Sequence, residues 1–341
     1  MQTQSSAPRD GIIVAHGFGL KVYVDRGHLV VHDGVCDERQ TRRYNRATSK
    51  LKRVVVIGHN GFVTLEALRW IRDIGAAFVQ IDRDGQLVVT SAAAGNDLAP
   101  LRRSQAVAAD GPAGVVITRY LLRAKIEGHT AVLRELRNAE ASRADLEHAL
   151  REVDDAEDIS SLLGIEAQAA ASYWRAWTSL PLPFGRQDTN GAPEHWRRFG
   201  QRASLLTSGP RLASNPANAI LNYLYALLEA ETTIACHRLG LDPGIGIFHA
   251  DRRNRDSLAL DIMEAARPVV DAYVLALLTQ RTLARSDFVE NRQGACRLAP
   301  RIAARLAETV VSWKHHVAPI AEQVAHTLAT TPTVRSRSQR R

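Results

Sequence analysis

The sequence predicts an α+β fold, with a small β-rich part first and a larger helical part after it. Three observations predict it. Short β-branched or alternating runs fill the stretch from Gly11 to Val89, and apolar residues recur at helical spacing from Arg103 onward. Between them the segment SAAAGNDLAPL, Ser91 to Leu101, carries turn residues and little pattern. A chain of 341 residues suits two domains at about 100 to 200 residues each. The expected division is 1–92 for the β-rich domain, 93–102 for a linker, 103–328 for the helical domain and 329–341 for a basic tail.

In the first part the runs GIIVAHG, LKVYV, HLVVH, RVVVIG, AAFVQID and QLVV read as strands, bounded by Gly, Asp and Asn. One helix interrupts them. In FVTLEALRWIRDIG the residues Leu65, Leu68, Trp70 and Ile71 follow helical spacing, and Gly75 supplies a stop. In the second part Arg119 to Val153 is a charged amphipathic region, and Glu166 to Trp177 continues as helix with Tyr173, Trp174 and Trp177 on it. Leu180 to Gln201, rich in Pro, Gly and Arg, reads as a loop. Long apolar helices follow from about Asn215 to Leu239 and from about Ser257 to Gln280, and the last helices lie between Arg297 and Leu328. The tail TTPTVRSRSQRR is basic and low in complexity, and no internal repeat is visible.

Hydrophobic residues at 45% and charged residues at 23% place the chain among globular proteins and exclude a disordered or collagen-like bulk. No run of about 20 apolar residues exists to span a membrane. The start, MQTQSSAPRD, has neither a charged n-region nor an apolar h-region, so the protein reads as cytoplasmic. Cys36, Cys236 and Cys296 lie far apart with no CxxC pair. They are expected to be free thiols in or near cores, without a disulfide framework or a structural zinc site. The net charge of +8 favours a polyanionic partner such as nucleic acid. Of the 44 basic residues 39 are arginine, a bias that GC-rich codon usage produces by itself.

Several familiar chemistries are absent. There is no GxxxxGK[ST], no GxSxG and no HExxH, and the GFG at residues 17–19 lacks the third glycine and following helix of a dinucleotide site. What remains is a set of acids and one histidine. In HADRRNRDSLALDIMEAARP, His249 to Pro268, Asp256 or Ser257 is placed to cap a helix. Asp261 and Glu264 share one helix face and interrupt the apolar Leu258, Leu260, Ile262 and Met263. Carboxylates among apolar residues must be paired or bind a cation, and Arg267 or Arg252 would serve as plain structural partners. His249 follows the apolar approach GIGIF and is equally readable as a satisfied core histidine. Glu166, in SLLGIEAQAAASYW, is a third carboxylate in an apolar setting. One imidazole with two or three carboxylates suits Mn²⁺ or Mg²⁺, ions that polarise a phosphodiester. Arg252, Arg253 and Arg255 beside the histidine are candidate phosphate contacts, or a solvated loop.

Two long stretches, NPANAILNYLYALLEAE (Asn215 to Glu231) and GLDPGIGIFHADRRNRDSLALDIMEAARPVVD (Gly240 to Asp271), resemble the CRISPR adaptation integrase family. VVVIGHNGFVTLEALRWIRDIGAAFVQID resembles that family's β domain, and LLGIEAQAAASYW the segment holding its first metal-ligand glutamate. The likeness runs through roughly residues 10–320 in the family order. It implies an N-terminal β-sandwich followed by an all-α catalytic domain. It implies a metal-dependent DNA endonuclease and integrase that inserts new spacers into CRISPR arrays, with Glu166, His249 and Glu264 as metal ligands and Asp261 as a nearby additional acid that orients a ligand or joins in binding. It also implies Mn²⁺ or Mg²⁺ as cofactor, with the histidine favouring Mn²⁺. The implied partners are double-stranded DNA (spacer precursor and CRISPR repeat), a second copy of the chain joined through the β domain, and a second, small CRISPR-associated adaptation protein. Ala167 and Leu224 stand where many members have glycine, and neither change removes a ligand. Glu229 and Glu231 read as a structural or salt-bridging pair.

The implied reaction is attack of a DNA 3′-OH on the repeat phosphodiester, with no protein nucleophile. Two other readings compete. A metal-dependent nuclease of branched DNA in repair, or a mobile-element integrase, would keep the ligands without the repeat. A non-catalytic DNA-binding scaffold would not need them.

Overall fold

A computed structural model describes residues 3–4, 11–34, 39–82, 85–91, 98–189, 191–202, 213–253 and 255–331. Cys36, part of the expected linker and most of the expected basic tail lie outside these residues.

The strands β1 (Thr3–Gln4), β2 (Ile12–His16), β3 (Leu20–Asp25), β4 (His28–Asp33), β5 (Gln40–Tyr44), β6 (Arg53–Ile57), β7 (Gly61–Val63), β8 (Ala77–Ile81) and β9 (Leu87–Ser91) form two sheets around the helix α1 (Leu65–Asp73). One sheet runs β1-β5-β4-β3-β7 and the other β2-β6-β8-β9. In the second sheet β2, β6 and β8 are parallel and β9 is antiparallel. All five residues of the interior strand β6, RVVVI, are buried, as expected for a parallel strand covered on both faces.

Both sheets contribute to one core. Leu20, Val22, Leu29 and Val31 from the first sheet cluster with Ile13, Ala15, Val54, Val56 and Phe78 from the second. Ala67, Trp70 and Ile71 of α1 join them. The helix starts where Thr64 Oγ1 accepts from Ala67 N at 3.1 Å and ends at Gly75, whose φ of +71° fits the predicted stop. Of the four apolar residues at helical spacing, Trp70 and Ile71 are buried, whereas Leu65 and Leu68 are 85% and 36% exposed.

Strand β5 was not predicted, because its sequence QTRRY alternates nothing apolar. Its pairing with β4 places Arg42 against Asp33 at 2.5 Å, and Arg43 meets Asp25 at 2.6 Å. Cross-strand charge pairs replace the missing apolar signal.

The remaining helices are α2 (Ala99–Ala106), α3 (Pro112–Arg134), α4 (Glu140–Asp155), α5 (Ile159–Trp177), α6 (Arg186–Thr189), α7 (Pro216–Leu239), α8 (Ser257–Gln280), α9 (Pro300–Ala307) and α10 (Val310–Thr330). Helices α7 and α8 match the predicted spans within a residue. The expected all-α character does not hold throughout: β10 (Phe288–Glu290) and β11 (Cys296–Leu298) form an antiparallel hairpin. Within the expected linker, the residues from Ala99 onward are helical.

Contacts group the chain into two units that are not contiguous in sequence. One takes Met1–Ala94, Leu180–Ile234 and Ala276–Trp313, and the other Gly95–Ser179, Ala235–Leu275 and Lys314–Arg341. Helices α7, α8 and α10 therefore supply residues to both. The second unit has its own core, with Leu101, Ile117, Leu121, Cys236, Leu258, Ile262, Ala321 and Val324 among its members. Cys236 and Cys296 are buried free thiols. Glu231 pairs with Arg53, both side chains buried, as the structural reading of that acid expects. Among the described residues, no helix is long and apolar enough to cross a membrane.

Candidate functional site

The predicted site residues all lie in the second unit. Two helices and one loop carry them: α5 holds Glu166, α8 holds Asp261 and Glu264, and the loop between α7 and α8 holds His249.

The loop is built around Asp261. Its carboxylate accepts from the backbone N–H groups of Ile247 at 2.6 Å, Phe248 at 3.3 Å and His249 at 3.0 Å. It also lies 2.6 Å from His249 Nδ1. Asp261 is fully buried, and burial raises its pKa, while the His249 and backbone hydrogen bonds pull the other way. A carboxylate with three backbone donors acts as acceptor toward Nδ1. That assigns the ring proton to Nδ1 and leaves the Nε2 lone pair uncommitted to Asp261. So Asp261 orients His249.

Two further contacts fix the same loop. Gly246 admits no side chain, since a Cβ there would stand 2.3 Å from the His249 carbonyl oxygen. Gln105, 1% exposed on α2, donates to the carbonyl oxygens of Asp242 at 2.6 Å and Ile245 at 2.8 Å, and its Oε1 accepts from Asp242 N at 3.0 Å. Both polar atoms of that amide are used, in three hydrogen bonds, on the approach to His249.

Glu166 and Glu264 come together, but through a residue the sequence reading did not single out. The Lys125 ammonium pairs with Glu166 Oε1 and, at 2.6 Å, with Glu264 Oε2. Arg267 Nη1 holds the other Glu264 oxygen at 2.6 Å. Burial pushes the Glu264 carboxyl up, but Arg267 and Lys125 outweigh it and hold the group down to about 2. Burial likewise disfavours the Lys125 charge, yet Glu264 and Glu166 raise its pKa. Glu166 sits at the edge of this cluster rather than in a wholly apolar setting: its side chain is 21% exposed, against 5% for Glu264.

Close helix packing makes the pairing possible. A Cβ on Gly128 would stand 2.5 Å from Pro268 Cβ, so α3 and α8 touch at a glycine one turn from Lys125 and from Glu264. One or two turns further along, His129 stacks on Tyr173 with ring centroids 3.8 Å apart, and Tyr173 donates to Asp271 at 3.0 Å. Burial lowers the His129 pKa. The spacing 125 to 129, 166 to 173 and 264 to 271 repeats the same three helices as a second polar layer.

The three arginines differ. Arg252 and Arg253 are exposed. Arg255 is committed to the loop, donating to the Ala250 carbonyl at 2.5 Å and to Ser257 Oγ at 3.2 Å. Lys125 was legible in principle. It falls in phase with the buried Leu121, Leu122 and Ile126 of α3, so a face count of that helix flags it.

As to metal binding, no three His, Cys or acidic side chains among the described residues stand in metal-holding geometry. The donor chemistry nevertheless suits a divalent ion. Two carboxylates converge on one positive charge, and an imidazole oriented through Nδ1 offers Nε2.

The first unit has a separate feature. An open cavity of about 800 Å³ is lined by Phe62, Leu65, Leu68, Phe78 and Val89 among others. Phe62 and Leu65 are 51% and 85% exposed.

Comparison with known proteins gives a consistent result. A family profile described as CRISPR associated protein Cas1 matches residues 13–311. The chain is 30% identical over 306 residues to CRISPR-associated endonuclease Cas1 1 of Archaeoglobus fulgidus, covering 84% of this chain and 83% of that one. It is 36% identical over 238 residues to CRISPR-associated endonuclease Cas1 2 of Rhodospirillum rubrum, covering 65% and 64%. Among solved structures it is similar to a casposase bound to integration product, with a TM-score of 0.76 at 24% identity over 94% of this chain and 92% of that one. A Cas1 protein from Thermotoga maritima gives a TM-score of 0.73 at 19% identity over 95% and 99%. At these identities the structural matches speak for the fold.

Proposed function

The chain belongs to the CRISPR-associated protein Cas1 family, and from that premise we propose that it is a metal-dependent DNA endonuclease and integrase that inserts short DNA fragments into a CRISPR array. The observation that carries the reading is the convergence of Glu166 and Glu264 on one positive charge, together with a histidine whose Nδ1 is fixed by Asp261, one turn along α8 from Glu264.

Glu166, His249 Nε2 and Glu264 would hold the ion, Mn²⁺ or Mg²⁺. When bound, such an ion stabilises the charge that develops on a phosphodiester during displacement. The chain's own residues do the rest. Asp261 holds the imidazole at one rotation, Gln105 and Gly246 hold the loop that carries it, and Arg267 keeps Glu264 ionised. In the joining step the 3′-oxygen of the incoming strand forms a new P–O bond as a P–O bond of the repeat breaks, leaving a new 3′-OH on the repeat. No protein nucleophile is consumed. Arg252 and Arg253 are free to meet backbone phosphates.

The proposed partners are duplex DNA, a second copy of the chain and a small CRISPR-associated adaptation protein. The net charge of +8 suits the first. The exposed Phe62, Leu65 and Val89, which line one open cavity in the first unit, support the second, since apolar groups gathered on a surface ask for cover. A solved complex entitled Cas6-RT-Cas1–Cas2, in which the matching part is 19% identical to this chain, motivates the third.

The test is an integration assay on a supercoiled plasmid bearing a CRISPR repeat, with a short duplex carrying free 3′-OH ends and the small partner protein. Joining at repeat borders that requires Mn²⁺ or Mg²⁺, and is lost in EDTA and in His249→Ala, is the expected result. Cleavage without joining or repeat preference would replace the reading with a repair nuclease. Salt-sensitive duplex binding with no chemistry would replace it with a scaffold.

A further inference from the structure

Lys125 is absent from the set of residues the proposed reaction uses, yet it is the group on which the two glutamates converge. It is 6% exposed, and the other four lysines of the chain, Lys21, Lys50, Lys52 and Lys314, are exposed. We propose that Lys125 is a built-in competitor for the divalent cation: its ammonium takes the carboxylate oxygens that the ion would need, so ion and ammonium hold Glu166 and Glu264 in exchange for one another. This inference rests on the metal reading of the site given above.

The commitments of Glu264 carry it. One oxygen is held by Lys125 and the other by Arg267, so neither faces the ion without a cation already beside it. Arg267 sits on the same helix three residues on, and its planar guanidinium stays charged under all ordinary conditions. Lys125 reaches in from another helix, and its compact ammonium gains hydration on release. Of the two cations, Lys125 is the one built to leave. Two positive charges sharing the same oxygens repel strongly in a poorly hydrated site, which makes co-occupancy costly. The way out is also defined, because the Glu166 side of the cluster is the exposed side.

The arrangement has two effects of opposite sign. The ammonium neutralises two acids that would otherwise repel each other in the interior, so the fold does not depend on the ion. The same contact must be given up on loading, so ion affinity is lower than the donor set alone would give. A substitution that removes the charge therefore weakens the fold without the ion and strengthens ion binding. A residue that merely stabilised the site would move both in the same direction.

The experiment uses the full chain and Mn²⁺ alone, with Glu166→Gln to identify binding at this site. In Lys125→Met the midpoint of thermal unfolding in EDTA should fall. Glu166-dependent Mn²⁺ binding by calorimetry should tighten on the order of tenfold or more. The Mn²⁺-induced rise in midpoint should exceed that of the wild type. Weaker or unchanged Mn²⁺ affinity in Lys125→Met overturns the proposal. A second measurement needs no variant to fold. With ¹⁵N-labelled lysine in the wild type, the buried Lys125 ammonium should give a protected NMR signal that is lost as Mg²⁺ fills the site. A signal unchanged at saturating Mg²⁺ overturns the proposal while leaving the metal reading intact. Absence of any Glu166-dependent binding of either ion overturns both.

Discussion

At the scale of single residues the candidate site is a problem in placing charge inside a protein. Asp261 serves four donors, so its removal strands three backbone N–H groups and frees the imidazole. Asp261→Ala is expected to destabilise the protein by about 2 to 4 kcal/mol and to lower integration at least tenfold, measured by urea unfolding and by the plasmid assay. Asp33 offers a pH test away from the site. Burial raises its carboxyl from 3.8 to about 6, even against the opposing pull of Arg42. A folded pKa above the unfolded one means that the native state binds more protons in this window, so stability falls as pH rises from 3.8 toward about 6. Unfolding midpoints of the wild type and Asp33→Asn across that window should differ in slope, with the variant flatter. Single-residue reading of the sequence found the acids and the histidine, because carboxylates amid Leu, Ile and Met stand out. It did not find Lys125 or Gln105. A long side chain with an apolar stem fits an amphipathic pattern without breaking it, and an amide that serves a distant loop leaves no local mark.

At the scale of elements, packing decides whether those residues meet. Gly128 against Pro268 sets how closely α3 and α8 approach. Gly128→Ala would place a methyl group inside the contact distance of the proline ring, and is expected to cost about 1 to 3 kcal/mol. If the approach is what joins Lys125 to Glu264, the same variant should change Mn²⁺ affinity, which calorimetry would show. Elements with a periodic apolar signal were legible to within a residue or two, α7 and α8 above all. Elements held by charge or by partners were not. Strand β5 depends on Arg42 and Arg43 finding aspartates on other strands, and the hairpin β10–β11 is only three residues on each side. The exposed Leu65 and Leu68 mark the limit of periodicity, which counts apolar residues but does not say which face of α1 the core takes.

At the scale of the whole molecule, the sequence showed a change of character near residue 100 and a basic surplus. What it could not show is that the two contact units draw on alternating segments, since grouping depends on contacts far apart in sequence. The surplus predicts how the protein binds duplex DNA: affinity should fall steeply with salt, and Arg252→Ala with Arg253→Ala should each lower the slope of log affinity against log salt by about one if they meet phosphates. Leu65→Asp should shift the chain toward monomer in sedimentation if the exposed apolar surface joins two copies. The Gln105 amide bears on how this protein is made. It is joined to the loop before His249 across 137 positions, so during synthesis it waits, hydrated, until that loop has left the ribosome. The imidazole is set only once Asp261, 12 positions further on, has followed the loop. A nascent or clipped chain ending before the loop holds no oriented histidine, and a C-terminal fragment starting after α2 holds one without its brace.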